Sequence, residues 1–342
     1  MKETVLVLGG AGFLGQHLVR ALKASGDYRV LVFERSENDC PFGIETVADA
    51  IYRGDAFLDD SLDRVCASHK ITTVFHLVST TLPQGSDEAI SFDVESNVLG
   101  TVRLLDTMRR HSIPRIVFIS SGGTVYGNVE GDRRSEIDAT NPLCSYGVTK
   151  LMVEKYLHLY RHLYGLEYLI LRPSNVYGEY HRSAVQGLIN VLLRRVLNGR
   201  AMEIWGDGNV IRDYVYAGDL AEICVRLVRK NVWNTILNVG SGIGYSIREI
   251  LEFVRELVGP FVVEHRAPRK VDVSRVVLDV TKLRSILPCA MTEIRSGISK
   301  TWRWVCLQAK SEGLLLESPR ILRQCIRRRR SRRLSSHAVA YP

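Results

Sequence analysis

Gly9-Gly10-Ala11-Gly12-Phe13-Leu14-Gly15 decides the reading of this chain, because of what stands on either side of it. The run Thr4–Leu8 before it is short, apolar and rich in β-branched residues, as a buried strand is; Phe13–Ser25 after it carries apolar residues at helical spacing. Between a strand and a helix each glycine has a task. Gly9 permits the tight turn, Gly12 lets a pyrophosphate approach the backbone, and Gly15 lets the helix pack close on the strand. The anion would rest on the helix N-terminus, where unpaired N–H groups and the helix dipole favour negative charge. Glu34 follows the second apolar run, Arg29–Phe33, nineteen residues after Gly15. A carboxylate there accepts hydrogen bonds from both ribose hydroxyls and repels a 2′-phosphate, which selects NAD. The neighbouring Arg35 would instead pair with that phosphate. Asp55, after Tyr52-Arg53-Gly54, suits the adenine edge or a loop cap.

Outward from this loop, the apolar runs Thr73–Leu77, Arg115–Ser120 and Leu166–Leu171 recur with helix-length segments between them. Continuous rather than alternating apolar strands imply a sheet covered on both faces. The expected fold is α/β, a doubly wound parallel Rossmann sheet with a smaller C-terminal α/β substrate domain. Residues 1–172 form the first unit, 213–240 return to it, and 173–317 form the second. In that second part Val185–Leu197 reads as a helix and Met202–Trp205 as a strand before the Gly206-Asp207-Gly208 turn. Asp219–Arg229 is a further helix and Thr235–Val239 a strand. Ser246–Leu257 opens with Ser246 and Glu249 at the spacing of a capping box.

The net charge is +9, but residues 318–342 hold eight arginines and no acid, which leaves +1 for the rest. The basicity belongs to a low-complexity tail read as disordered. A near-neutral body gives no footprint for nucleic acid; the tail suits weak attraction to an anionic membrane surface. Seven scattered cysteines, with no C-x-x-C, suggest neither a disulfide framework nor a metal site, and fit a reducing cytoplasm. No separate apolar segment with a cleavage site precedes the first strand, so no signal peptide is expected.

Tyr146-Gly-Val-Thr-Lys150 puts a phenol and an ammonium four residues apart on one helix face. The cation, with an oxidised nicotinamide beside it, stabilises the phenolate, whose ordinary pKa is about 10. The result is a general base for a substrate hydroxyl. The Arg115–Ser120 strand ends in Ser120-Ser121-Gly122-Gly123-Thr124-Val125-Tyr126-Gly127, at the sheet edge where such folds bind ligands.

Together these motifs resemble the extended short-chain dehydrogenase/reductase superfamily, and within it the UDP-hexose 4-epimerases, over roughly residues 3–305. The likeness extends to His76-Leu77, Asn97-Val-Leu-Gly-Thr101, Arg172-Pro-Ser-Asn-Val-Tyr-Gly178, Trp205-Gly-Asp-Gly208 and Arg212-Asp-Tyr-Val215. It implies NAD held by Gly9, Gly12, Phe13, Leu14, Gly15, Glu34, Arg35, Asp55, Leu77, Asn97, Ser120, Tyr146, Lys150 and Pro173. It implies a nucleotide diphosphate held by Asn175, Arg212 and Arg269, with Asp272 near the nucleotide ribose. Position 276 abuts the sugar in this family; Val276, small beside a tyrosine, implies room for a 2-acetamido group. The catalytic serine of the best-known epimerases stands two residues before the threonine, where this chain has Gly122. The third catalytic hydroxyl then falls to Thr124, which also faces substrate, to Ser121, or to a water. No Asp-Glu pair precedes Val125, which speaks against a 4,6-dehydratase. The resemblance implies C4 inversion through a 4-keto sugar, for surface polysaccharide precursors, by a homodimer joined in a four-helix bundle. A reductase or decarboxylase on a related nucleotide sugar, or a non-catalytic dinucleotide-binding scaffold, are the other readings.

Overall fold

The computed structural model describes residues 2–35, 41–55, 59–83, 85–128, 131–267 and 273–311. The first half alternates strand and helix: β1 (Glu3–Leu8), α1 (Phe13–Ser25), β2 (Tyr28–Glu34), β3 (Ala50–Arg53), α2 (Ser61–Ser68) and β4 (Ile71–His76). Then come α3 (Ile90–Asp93), a π-helical turn Val94–Leu99, α4 (Gly100–Arg110), β5 (Arg115–Ile119), α5 (Ser145–Tyr164) and β6 (Glu167–Pro173). The second half holds β7 (Asn175–Tyr177), α6 (Leu188–Leu197), β8 (Met202–Trp205), β9 (Ile211–Tyr216), α7 (Ala217–Arg229) and β10 (Thr235–Val239). It ends in β11 (Gly244–Ser246), α8 (Ile247–Val258), β12 (Val263–Arg266), β13 (Arg275–Val276), α9 (Thr281–Ile286) and α10 (Ile294–Ser311).

Seven parallel strands in the order β10-β6-β5-β4-β1-β2-β3 form the main sheet, the doubly wound arrangement expected from the apolar runs. Because side chains alternate along a strand, each strand feeds both cores. Val5, Val7, Val30 and Val32 pack with Leu18, Leu22, Leu220 and Leu227 of α1 and α7. Leu6, Leu8, Leu31 and Val74 pack with Leu104, Met108, Val153 and Leu157 of α4 and α5. The strand order reverses beside β1, opening the crevice in which such sheets bind ligands.

The returning segment is shorter than its expected bounds. β10 pairs with β6 and α7 packs on α1, but β9 lies in a separate small sheet with β7, β11 and β13. That sheet sits with a third core built by α6, α8 and α10. The helix expected from Val185 starts at Leu188, because Gly187 before it holds φ +82°. The Ser246 capping box is formed, with Ser246 and Glu249 each binding the other's backbone N–H. β3, α2, α9 and α10 are not among the expected elements, although α10 buries Ile294, Ile298, Trp302 and Val305 at helical spacing. The arginine-rich tail lies outside the described residues.

Candidate active site

The glycine loop closes as its spacing requires. Gly9 has φ +81°, and its carbonyl accepts from Gly12 N at 3.2 Å. A Cβ on Gly15 would run into that same carbonyl, so only glycine lets α1 sit so close to β1. At Gly12 a Cβ would meet nothing nearby but the Gly9 oxygen, so this face is left open to a ligand. Among the described residues no side chain caps the start of α1. Its first amides can take an anion, and the cradle fits a pyrophosphate. Phe13 and Leu14 are the first residues of the helix; Leu14 packs with Leu77 and Ile119 beneath the loop. Glu34 is buried at the end of β2, where its carboxylate accepts from Ala11 N of the glycine loop. Arg35 pairs with Asp55 at 3.9 Å, which brings the residue read against a 2′-phosphate to the one read for the adenine edge.

Across the crevice stands α5. The Lys150 ammonium donates to the Ile119 carbonyl at 3.1 Å and lies 5.5 Å from the centre of the Tyr146 ring. Burial brings Lys150 down to about 8, while the carboxylates of Asp93 and Glu154 act to hold its proton. Burial pushes the Tyr146 phenol above its usual range, reinforced by Cys144 and Asp93 and opposed by a hydrogen bond from Ser121. The hydroxyl beside the phenol is therefore Ser121. Thr124, the first candidate for that place, has its Oγ1 buried with no partner among the described residues, and lies against Gly147. Gly122 explains why the serine falls one place early. A Cβ there would lie 2.7 Å from Leu278 Cδ1 and 2.9 Å from the Arg172 carbonyl, so no side chain fits.

Ser120, read against the cofactor, gives its hydroxyl to Glu154 at 2.5 Å instead. Glu154 in turn holds Arg172 through both oxygens, at 2.9 and 2.6 Å, in a pair almost fully buried. Pro173 is buried beside it and its carbonyl accepts from Gly122 N at 2.8 Å. This knot fixes the floor of the site. Asn97 stands in the π-helical turn, a distortion that recurs at functional sites. Its amide donates to Asp93 at 2.7 Å and accepts from Thr80 N at 3.1 Å.

The expected substrate residues come from the small sheet. Asn175 on β7 and Arg212 on β9 lie on paired strands, and Val276 on β13 pairs with Arg212. Asn175 is exposed and donates to the Asp213 carbonyl at 2.9 Å; Arg212 is half-buried. Val276 is buried; Leu278, two residues beyond it and outside β13, lies over Gly122 of the 120–127 turn. Arg269 and Asp272 lie outside the described residues. Two features escaped the motifs: buried Asp93, and a turn at 86–87 that holds the start of α5. Asp87 accepts from Ser145 N at 2.7 Å, and Ser86 Oγ from Tyr146 N at 3.1 Å. No local signal marks them, since each acts on a helix more than fifty residues away.

Residues 5–240 match the model of the NAD dependent epimerase/dehydratase family. This chain belongs to that family. A family member of this kind is NAD-dependent, and the glycine cradle and Glu34 are the residues that fit the dinucleotide. The chain is 34% identical to a putative UDP-glucose 4-epimerase of Methanocaldococcus jannaschii, over 88% of this chain and 98% of that one. It is similar to a UDP-glucose 4-epimerase of Thermus thermophilus solved with NAD, at 33% identity and a TM-score of 0.80, covering 89% and 99% of the two chains. A UDP-N-acetylglucosamine 4-epimerase of Methanobrevibacter ruminantium M1, solved with UDP-N-acetylmuramic acid, is 25% identical at a TM-score of 0.81, covering 90% and 100%.

Proposed function

We propose that this protein is an NAD-dependent 4-epimerase of UDP-hexoses and UDP-N-acetylhexosamines. The observation that carries the reading is the Tyr146 phenol held between Ser121 and Lys150, opposite an uncapped glycine loop and beside the small sheet. Tyr146 takes the proton of the sugar's C4 hydroxyl and later returns it, acting as base and then as acid. Ser121 donates to the phenolate and carries the proton path to the sugar oxygen. The Lys150 ammonium, buried beside the phenol, stabilises the anion by charge. NAD, when bound, supplies a hydride acceptor that gives back what it takes. Inversion requires the 4-keto sugar to turn over before that return, so the small sheet must hold the nucleotide while leaving the hexose free. Asn175 and Arg212 supply the amide and guanidinium donors that a diphosphate prefers.

The same reading includes a homodimer. Ile90, Phe92 and Leu99 on the α3–α4 segment, with Val148, Leu159 and Leu163 on α5, are exposed large apolar residues on the two helical segments of the expected four-helix bundle. Among the described residues Cys66, Cys144, Cys224 and Cys289 form no disulfide, which suits a reducing cytoplasm. Among the described residues no helix is long and apolar enough to cross a membrane; the tail would supply only weak attraction to anionic lipid. Incubation with UDP-glucose, UDP-N-acetylglucosamine and their galacto epimers, with products separated, tests the function. Interconversion without net NADH supports epimerisation; stoichiometric cofactor turnover assigns a reductase or decarboxylase instead, and no turnover leaves the scaffold reading.

A further inference from the structure

Asp93 has no solvent exposure, yet no cation among the described residues binds it directly. Instead three donors from three segments converge on its carboxylate: Thr81 Oγ1 at 2.6 Å, Asn97 Nδ2 at 2.7 Å and Ser145 Oγ at 2.6 Å. Ser145 is the first residue of α5 and the immediate neighbour of Tyr146. Leaving a charge this deep is costly unless it is balanced. The balance is the buried Lys150, one turn along α5, whose proton the carboxylates of Asp93 and Glu154 both act to hold.

We propose that Asp93 is a positioning residue of the acid–base pair, holding the first turn of α5 through Ser145 and keeping Lys150 charged beside the phenol. The proposal rests on Tyr146 and Lys150 being that pair. The Glu154 carboxylate also faces Lys150, but it is engaged by Arg172 and Ser120. His76 on β4 faces Lys150 as a neutral ring, brought down to about 3 by burial and by the Lys150 charge. Around the phenol stand Cys144, whose thiol burial pushes up, and Asp87, which is taken by the α5 backbone. Asp93 is thus the anion left to set the charge state of both partners.

The test is the pH dependence of Asp93→Asn in the full-length holoenzyme. Loss of a nearby negative charge makes both the ammonium and the phenol easier to deprotonate. Both limbs of the pH–rate profile should therefore move to lower pH by about one unit. Independently of turnover, the side-chain carbon resonance of Lys150, assigned by its loss in Lys150→Arg, should titrate at lower pH in Asp93→Asn. Ser145→Ala removes the tether and keeps the charge, so it should slow turnover while leaving both midpoints in place. Unmoved midpoints and an unmoved Lys150 titration in Asp93→Asn overturn the proposal. The two hydroxyl partners can reverse to accept from asparagine, so failure of Asp93→Asn to fold would assign Asp93 to the fold alone and overturn it too. A wild type without epimerase activity sinks the functional reading and not this one, because the Lys150 titration is still measurable.

Discussion

Ser121 and Thr124 stand three residues apart on one turn, yet only the first reaches the phenol. A hydrogen bond to a charged group is worth about 1.5–3 kcal/mol, or roughly 10–100-fold in rate. Ser121→Ala should lose that factor in kcat with NAD content unchanged, while Thr124→Val, whose hydroxyl has no partner among the described residues, should lose less. The reverse order in purified protein would return the catalytic role to Thr124. Val276 poses the second question of this kind. It is buried on β13, paired with Arg212 of β9, and if it abuts the sugar a phenol ring in its place would fill the space an acetamido group needs. The acetamido methyl gains about 25 cal/mol for each Å² it buries there. Val276→Tyr should cut turnover of UDP-N-acetylhexosamines at least about tenfold relative to UDP-glucose. A wild type active only on UDP-glucose and UDP-galactose refutes this placement.

Among the elements, α5 is held at both ends of its working stretch. Its N-terminal cap position is Cys144, and the amides of Ser145 and Tyr146 are taken by Asp87 and Ser86 from a distant turn. One turn past Lys150, Glu154 ties the helix to Arg172 of β6 and to Ser120 at the end of β5. Replacing a buried pair by matched apolar groups can be neutral, but removing one partner strands the other charge. Glu154→Ala should cost about 3–5 kcal/mol of stability, and chemical denaturation of the variant measures it. The Glu154→Ala, Arg172→Met double variant should recover part of the loss. A single variant as stable as the wild type would mean that Arg172 finds water or another anion at no cost.

Across the molecule, two cores sandwich the main sheet and a third supports the small one, and α10 of the third core closes the described fold at Ser311. The described members of these cores all precede the arginine-rich segment, whose eight charges account for nearly all of the net +9. Deleting residues 318–342 should leave turnover in solution and the melting temperature unchanged. The full-length chain should co-sediment with anionic vesicles more than the truncated one, and less so as salt rises through the range where the Debye length falls below about 10 Å. Loss of activity on truncation would make the segment part of the enzyme.

Local pattern was enough for the sheet, the glycine cradle, the Tyr146/Lys150 pair and the Ser246 cap. Strand runs, a strand–turn–helix with glycines, and a four-residue helical spacing all fix geometry within a few residues. β3 and α2 were not legible in that way, being four and eight residues long with half-exposed faces. Which hydroxyl serves the phenol was left to long-range packing, since the room at position 122 is set by Leu278 and by the Arg172 carbonyl, far away in the chain. The same packing placed Asp93 against Ser145, fifty-two residues on, and turned Ser120 from the cofactor to Glu154. Contacts of that span follow from how helices pack on a sheet, and no spacing along the chain encodes them.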